Sequence, residues 1–220
     1  MTPAFSRDVR NAKAALASLP CDWDGRKSVL ALKEANYNWR QMEWWAFFFE
    51  HLCRQRLSET FEIPGETFGT VRFDLKGGVN WDLKAKAIKS DQHSCILNDR
   101  TATDASISKY AEHGVMIALC DVEYNDINRT FQKWHSRLKG GLSAYEKERR
   151  ARTEVSRYRK TRAVLREVLF LRIDRMAART LSEMKQGRNS NGKPRPVKYM
   201  LDLEEIGDLL VDRIKFEARL

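Results

Sequence analysis

Two carboxylates and a lysine stand at spacings that would place them together on one face of a predicted β-hairpin. Asp82 and Lys84 are two residues apart, and Asp74 precedes Asp82 by eight residues. Two carboxylates suit Mg²⁺, which keeps several waters and takes few protein ligands. Such a metal activates a water and neutralises charge on a phosphate, while a lysine orients that water or stabilises the developing charge. These residue types favour metal-assisted hydrolysis of a phosphodiester.

The alternation of polar and apolar residues along residues 70–88 predicts the hairpin and its register. Period-two alternation is typical of half-buried strands. A two-residue glycine loop would mix the two faces, whereas the three-residue loop 76–78 keeps them uniform. We therefore expect Asp74 to lie opposite Asn80 and diagonal to Asp82. In this register the paired apolar residues are Leu75 with Val79, Phe73 with Trp81, and Val71 with Leu83. The alternative is a surface hairpin whose charged face is only solvated.

Residues 36–59 predict a largely apolar helix on which Glu43 and Glu50, seven residues apart, share one face. A carboxylate on an apolar helix is costly unless it is paired or bound to a metal. We expect Glu50 to face the hairpin site. The alternative is that both glutamates sit at the helix margin and pair with nearby arginines. Glu66, just before the hairpin, is a further acidic candidate.

The composition bounds the class of protein. The chain has 220 residues, 42% of them hydrophobic, and a formal net charge of +10, which indicates a single domain with a polyanionic partner. No apolar run reaches membrane-spanning length, and no signal peptide is evident, so we expect a cytoplasmic protein. The cysteines are far apart and form no C-x-x-C pair, which favours free thiols. No nucleotide-binding glycine motif appears.

The remaining pattern predicts an α/β (α+β) fold in which helices cover a central mixed sheet. A short helix over residues 6–18 comes first, and Ser28 is expected to cap a second. A helix near residues 104–112, ended by Gly114, precedes a buried strand at 115–124. Residues 142–186 predict a mostly helical, strongly basic region, and the last twenty residues predict another helix.

The predicted order of elements resembles the core of the PD-(D/E)xK nucleases, αβββαβ, over residues 36–123. The segment FDLKGGVNWDLK carries the resemblance: Asp74 stands at the first acid, and Asp82 and Lys84 stand at the (D/E)xK motif. Phe73 replaces the proline of the family's label. The resemblance implies a Mg²⁺-dependent endonuclease with Asp74 and Asp82 as metal ligands, with Lys84 catalytic and with Glu50 as an additional acid. It also implies a homodimer that cuts double-stranded DNA, as type II restriction enzymes do.

The basic region, residues 139–198, is the predicted DNA-contacting surface, because cationic side chains neutralise phosphates and arginines read guanine. The loop 187–198 is a second candidate, with Arg188, Lys193 and Arg195. The residues that we expect to contact DNA are Lys86, Arg149, Arg150, Arg152, Arg157, Arg159, Lys160 and Arg162. The alternative is a solvated helical face.

Three other functions compete with DNA cleavage by this core. His93, followed by Asn98 and Asp99, suggests a histidine-metal nuclease, but no zinc-binding cysteine pair accompanies it. The other histidines, among them His113, are expected to be structural or to lie on the surface. A nucleic-acid-binding accessory protein without catalysis would fit the charge, although it has no need for paired acids beside a lysine. A repair or RNA nuclease could use the same core.

Overall fold

The structure, a computed structural model, describes residues 1–64, 73–88, 93–142, 147–148, 151, 159–188 and 192–217. The helices described are α1 (Pro3–Leu16), α2 (Gly25–Glu34), α3 (Trp44–Leu57), α4 (Arg100–Tyr110), α5 (Thr130–Leu138) and α6 (Arg175–Ala178). The strands are β1 (Asp22–Asp24), β2 (Leu75–Lys76), β3 (Asn80–Ala87), β4 (Ser94–Asp99), β5 (Glu112–Glu123), β6 (Arg162–Asp174), β7 (Ser182–Met184), β8 (Lys198–Asp202) and β9 (Leu210–Lys215). Across these ranges, no helix is long and apolar enough to cross a membrane.

A mixed six-stranded sheet forms the centre of the fold. Its strand order is β1-β6-β5-β3-β2, and β9 also pairs with β6. The strands β5 and β6 are antiparallel over most of their length, whereas β3 runs parallel to β5. The chain passes from β3 to β5 through β4 and α4, because parallel neighbours need a crossover connection. The predicted α+β class with a mixed central sheet is confirmed.

Each face of this sheet has its own hydrophobic core. The helices α1, α2 and α3 cover one face, where Val168 and Phe170 of β6 are buried. The small sheet β4-β8-β7 and α4 contribute to the core on the other face, where Leu169 and Leu171 are buried. Because both faces are covered, a central strand is apolar at successive positions rather than at alternate ones.

Within the predicted helical C-terminal region, residues 147, 148 and 151 are helical, but the prediction is wrong for most of residues 162–186. Residues 162–174 form the long strand β6, and only the four-residue helix α6 follows it. The predicted last helix is instead β8, a short 3-10 helix at Gly207–Leu209, and β9. The apolar run in β6 satisfies helical spacing as well as strand spacing, so periodicity alone did not separate the two.

The helices α2 and α3 do not begin at the residues that the sequence predicted. The cap of α2 is Asp24, whose carboxylate accepts a hydrogen bond of 2.9 Å from the backbone of Lys27, whereas Ser28 is buried inside the helix. The helix α3 starts at Trp44 rather than near residue 36. Asn36 and Asn38 have positive φ angles of 51° and 36°, which are incompatible with a continuous helix.

Gly114 does not end α4 but lies inside β5, against an aromatic cluster. A Cβ atom at this position would come within 2.3 Å of the Trp81 ring. That ring also packs on Phe5 at 4.7 Å and on Phe170 at 6.4 Å between centroids. Glycine is therefore required for close packing here, and the sequence signal for a helix stop was misleading.

Candidate active site

The hairpin carries the two predicted aspartates in a register that differs from the expected one. Leu75 pairs with Trp81, and Lys76 pairs with Asn80, so the loop is residues 77–79 and the predicted pairing of Leu75 with Val79 is wrong. The loop still has three residues, which keeps the faces unmixed. The backbone N–H of Asp74 donates to the carbonyl of Trp81 at 2.9 Å. Asp74 therefore lies next to Asp82 across the ladder rather than opposite Asn80.

A buried carboxylate in α1 holds the hairpin loop in this register. The side chain of Asp8 accepts hydrogen bonds from the backbone of Gly78 at 2.9 Å and of Val79 at 3.1 Å. It also accepts one from the indole of Trp81 at 3.0 Å. A contact between residues so distant in sequence leaves no pattern in the hairpin itself, which is why alternation predicted the loop one residue too early.

Asp82 is fully buried, with 1% of its surface exposed, whereas Asn80, Lys84 and Lys86 on the same strand face are half-buried. The Oδ1 atom of Asp82 accepts a hydrogen bond of 2.9 Å from the Asn98 amide. Its Oδ2 lies 3.1 Å from Nε2 of His113, whose Nδ1 is 3.1 Å from the Ser106 hydroxyl. Burial raises the pKa of Asp82, but Lys84, His113 and Asn98 together outweigh it and hold the pKa below its usual value.

Asp74 lies beside the Asp82 carboxylate, but its pKa is shifted in the opposite direction. Its Oδ2 accepts a hydrogen bond of 2.7 Å from the backbone of Leu83. Burial, supported by the neighbouring Asp82, raises the pKa of Asp74 despite the opposing charge of Lys84. Burial alone would lower the pKa of Lys84, but Asp82 and Asp74 raise it above its usual value, so this lysine keeps its charge. The two acids and the lysine therefore form one interacting group.

Glu50 joins this group from α3, as predicted. The hydroxyl of Tyr37 donates a hydrogen bond to Oε1 of Glu50. Burial, followed by the charge of Asp74, raises the pKa of Glu50 to about 7, although Tyr37, Lys84 and Arg54 act in the opposite direction. Glu43, by contrast, precedes α3 and pairs with Lys160.

The structure adds residues that the sequence did not bring to the site. Lys198 of β8 is opposite Asp99 in the small sheet. Burial, and then the charge of Lys84, lower the pKa of Lys198, while Asp82, Asp99 and Asp74 oppose that change. This segment was predicted to be a loop, so no signal pointed to it. Asn98 and His113 contact Asp82, whereas the sequence grouped Asn98 with His93.

Other predicted residues lie elsewhere. His93 is an exposed residue that lies 3.5 Å from Glu204. The structure therefore does not bring it to the carboxylates of the candidate site. Lys86 donates to the carbonyl of Ser94 at 2.6 Å. Arg162 is held by Asp22 and Glu123, each within 2.7 Å. Lys160 contacts Glu43, and Arg159 lies near that glutamate. The predicted residues outside the described ranges are Glu66, Arg149, Arg150, Arg152 and Arg157.

The oxygen atoms of the cluster suit a hard cation such as Mg²⁺. Asp74 Oδ1 accepts no hydrogen bond within the described ranges, unlike its Oδ2. The Oδ1 atom of Asn80, two residues before Asp82 in β3, is buried and has no hydrogen-bond partner among the described residues. No group of three or more His, Cys, Asp or Glu side chains arranged to hold a metal is found in the ranges that the structure describes. Mg²⁺ does not require one, because it needs only one or two carboxylates and retains water.

The candidate active site is thus a group in which the buried Asp82 and the half-buried Asp74 and Lys84 come from the hairpin, and the half-buried Glu50 comes from α3. Similar proteins give no further information about this site. No protein-family model matches the chain, and it matches neither a curated protein nor a solved structure.

Proposed function

We propose that this protein is a Mg²⁺-dependent endonuclease that cleaves double-stranded DNA at the cluster of Glu50, Asp74, Asp82 and Lys84. One observation carries the proposal: side chains from α3 and the hairpin form a single interacting group of one buried and two half-buried acids around a charged lysine. Buried like charges are costly. A protein that retains three carboxylates together has a use for them, and a divalent cation would offset their repulsion.

Each side chain has a distinct role in the proposed reaction. Asp74 and Asp82 would hold the metal, which supplies Lewis-acid stabilisation and an activated water when it is bound. The Lys84 ammonium, charged in this environment, would stabilise negative charge on the phosphate or orient the attacking water. Glu50, with a pKa of about 7, is an acid that could take up a proton near neutral pH. His113 and Asn98 would fix the orientation of the Asp82 carboxylate.

The arrangement of elements supports the resemblance to PD-(D/E)xK nucleases. A helix that carries an acid precedes an antiparallel hairpin, and a crossover helix leads to a strand parallel to the second arm. The net charge of +10 favours a nucleic acid as partner. We extend the proposal to a cytoplasmic type II restriction enzyme. Most enzymes of that type have this core, and they typically bind as homodimers and cut both DNA strands at a short recognition site.

Incubation with supercoiled plasmid and with varied linear DNA, in Mg²⁺ or in EDTA, tests the proposal. We expect cleavage with Mg²⁺ only. Discrete fragments would indicate sequence-specific restriction, and a smear would indicate a non-specific nuclease. Asp82→Asn and Lys84→Met should each lower the rate by at least about a hundredfold, since such groups contribute several kcal/mol to the barrier. The matched control Asp208→Asn, at an exposed position, should cut normally.

Three outcomes would contradict the proposal. Normal cleavage by Asp82→Asn or Lys84→Met would show that the cluster is not the active site. Binding without cleavage, across many DNA sequences, would favour an accessory nucleic-acid-binding protein. Cleavage of RNA but not of duplex DNA would assign the same site to a ribonuclease.

A further inference from the structure

We propose that the exposed surface between α2 and α5 binds the phosphate backbone of duplex DNA, separately from the cleavage site. The cations of this surface, called here the α2–α5 surface, are Arg26, Lys33, Arg40, Lys133 and Arg137. None of them belongs to the DNA-contacting set predicted from sequence. The inference rests on the proposed action on duplex DNA, and it concerns how that DNA is held.

The centre of the α2–α5 surface is a groove that is lined by cations and contains no acid. Arg26, at the start of α2, faces Lys133, Trp134 and Arg137 of α5 across it. Lys133 and Arg137 are four residues apart in one helix, so they share a face. The Arg26 guanidinium lies 5.5 Å from the centre of the Trp134 ring. The groove therefore presents three positive charges around one indole.

The same pattern continues beside the groove. The ring nitrogen Nε2 of His135, in α5, lies 2.9 Å from the carbonyl oxygen of Trp39. Lys33 and Arg40 lie 5.5 Å and 5.0 Å from the centre of the Trp39 ring. Arg40 also donates to the carbonyl of Lys139 at 2.7 Å, just after α5. Trp39 and its two cations therefore lie beside α5, next to the groove.

Charge pairing distinguishes this surface from the sheet. The arginines of β6 and β9 are neutralised: Arg162, Arg166, Arg172 and Arg213 each have a carboxylate within 3.2 Å. By contrast, none of the five cations of the α2–α5 surface forms an ion pair with any residue in the described ranges. Uncompensated cations of this kind attract a polyanion.

The aromatic rings indicate which form of nucleic acid fits. Single strands bind by stacking their bases on exposed aromatic faces. Here cations already lie over Trp39 and Trp134, and Trp134 also packs against Phe131 at 5.3 Å and His135 at 5.9 Å. The indoles therefore orient the cations, and the cations are what the surface offers. A row of charges without stacking platforms fits the regular phosphates of a duplex, with no dependence on base sequence.

Salt-dependent binding of a labelled duplex, measured by fluorescence anisotropy in EDTA so that no cleavage occurs, tests this inference. Each phosphate contact contributes about 0.9 to the slope of log affinity against log salt, or roughly eightfold in affinity at 0.1 M salt. The double variant Lys133→Ala/Arg137→Ala should therefore lower the slope by about two and the affinity by roughly 60-fold. Circular dichroism should show an unchanged fold, because both side chains are exposed.

The matched control is Arg175→Ala/Arg179→Ala, which removes two exposed arginines at the same spacing, the first residue of α6 and its C-cap. It should change the slope by much less. Equal losses in both double variants would show that net charge alone matters, and an unchanged slope in the α5 variant would overturn the inference. A larger loss for single-stranded than for duplex DNA would assign the surface to single strands instead.

The outcomes separate this inference from the proposed nuclease activity. A wild-type protein that cuts plasmid, with a Lys133→Ala/Arg137→Ala variant that binds normally, overturns the α2–α5 surface alone. A wild-type protein that never cuts, with a double variant that shows the reduced slope, supports the surface and overturns the nuclease.

Discussion

Replacement of Glu50 by glutamine should make the stability of the protein less dependent on pH. The folded protein raises the pKa of Glu50 from 4.5 to about 7, chiefly through burial and then through the charge of Asp74. Glutamine retains an oxygen that accepts the Tyr37 hydroxyl, so the exchange removes the charge and leaves that hydrogen bond possible.

The sign follows from proton linkage. A carboxyl whose pKa is raised in the folded state holds its proton there more tightly than in the unfolded chain. Its contribution is fully present below pH 4.5 and is lost as the pH rises through about 7. Each pKa unit corresponds to about 1.4 kcal/mol, so the full loss for Glu50 is about 3 kcal/mol. This is an upper figure, because Glu50 keeps some contact with solvent.

Urea denaturation of the wild type and of Glu50→Gln, between pH 5 and pH 8 in EDTA, measures this effect. The stability of Glu50→Gln relative to the wild type should increase by about 2 to 3 kcal/mol over that range. Glu205→Gln, which removes an exposed carboxylate, should follow the wild type. If the difference in unfolding free energy between wild type and Glu50→Gln stays constant with pH, the pKa of Glu50 is not raised in the folded protein.

Three further substitutions test the packing and the charges around the site. Gly114→Ala should destabilise the protein by about 1 to 3 kcal/mol in urea, since its Cβ would clash with Trp81, whereas Gly187→Ala, in open space, should not. Asp74→Asn should raise the urea midpoint at pH 8 without metal, because the pKa of Asp74 is raised by burial, and should abolish DNA cleavage; a lowered midpoint would contradict this. His113→Gln should cost about 1 to 3 kcal/mol through the lost buried contact and increase the Mg²⁺ concentration needed for half-maximal cleavage; an unchanged Mg²⁺ requirement would reduce His113 to a packing role.

The central chemistry of the site could be predicted because it is local in sequence. Asp74, Asp82 and Lys84 lie within eleven residues, and alternation along two strands fixes which side chains share a face. Even with the loop displaced by one residue, the odd length kept both aspartates on that face. His113 and Lys198 could not be predicted, because the sheets bring them to the site from distant parts of the chain.

The fold was predicted less well where both faces of an element are covered. Strand β6 places Val168 and Phe170 in one core and Leu169 and Leu171 in the other. The apolar residues of β6 therefore do not alternate with polar ones, and the sequence of a buried helix would show the same apolar run. The error disappears only when the second layer, the small sheet β4-β8-β7, is known to exist.

The position of β6 determines how the chain can fold. It pairs with β5 along almost its whole length. It also pairs with β1 at Asp22–Asp24 and with β9 at Leu210–Lys215. Residues some 140 positions apart, such as Asp22 and Val164, must therefore meet before the sheet is complete. Pairings at such sequence separation slow folding and leave partly built sheets exposed. A fragment confined to residues 36–123 would contain every acid of the site and still leave an edge of β5 unpaired, so the catalytic motif and the smallest unit able to fold are different lengths of chain.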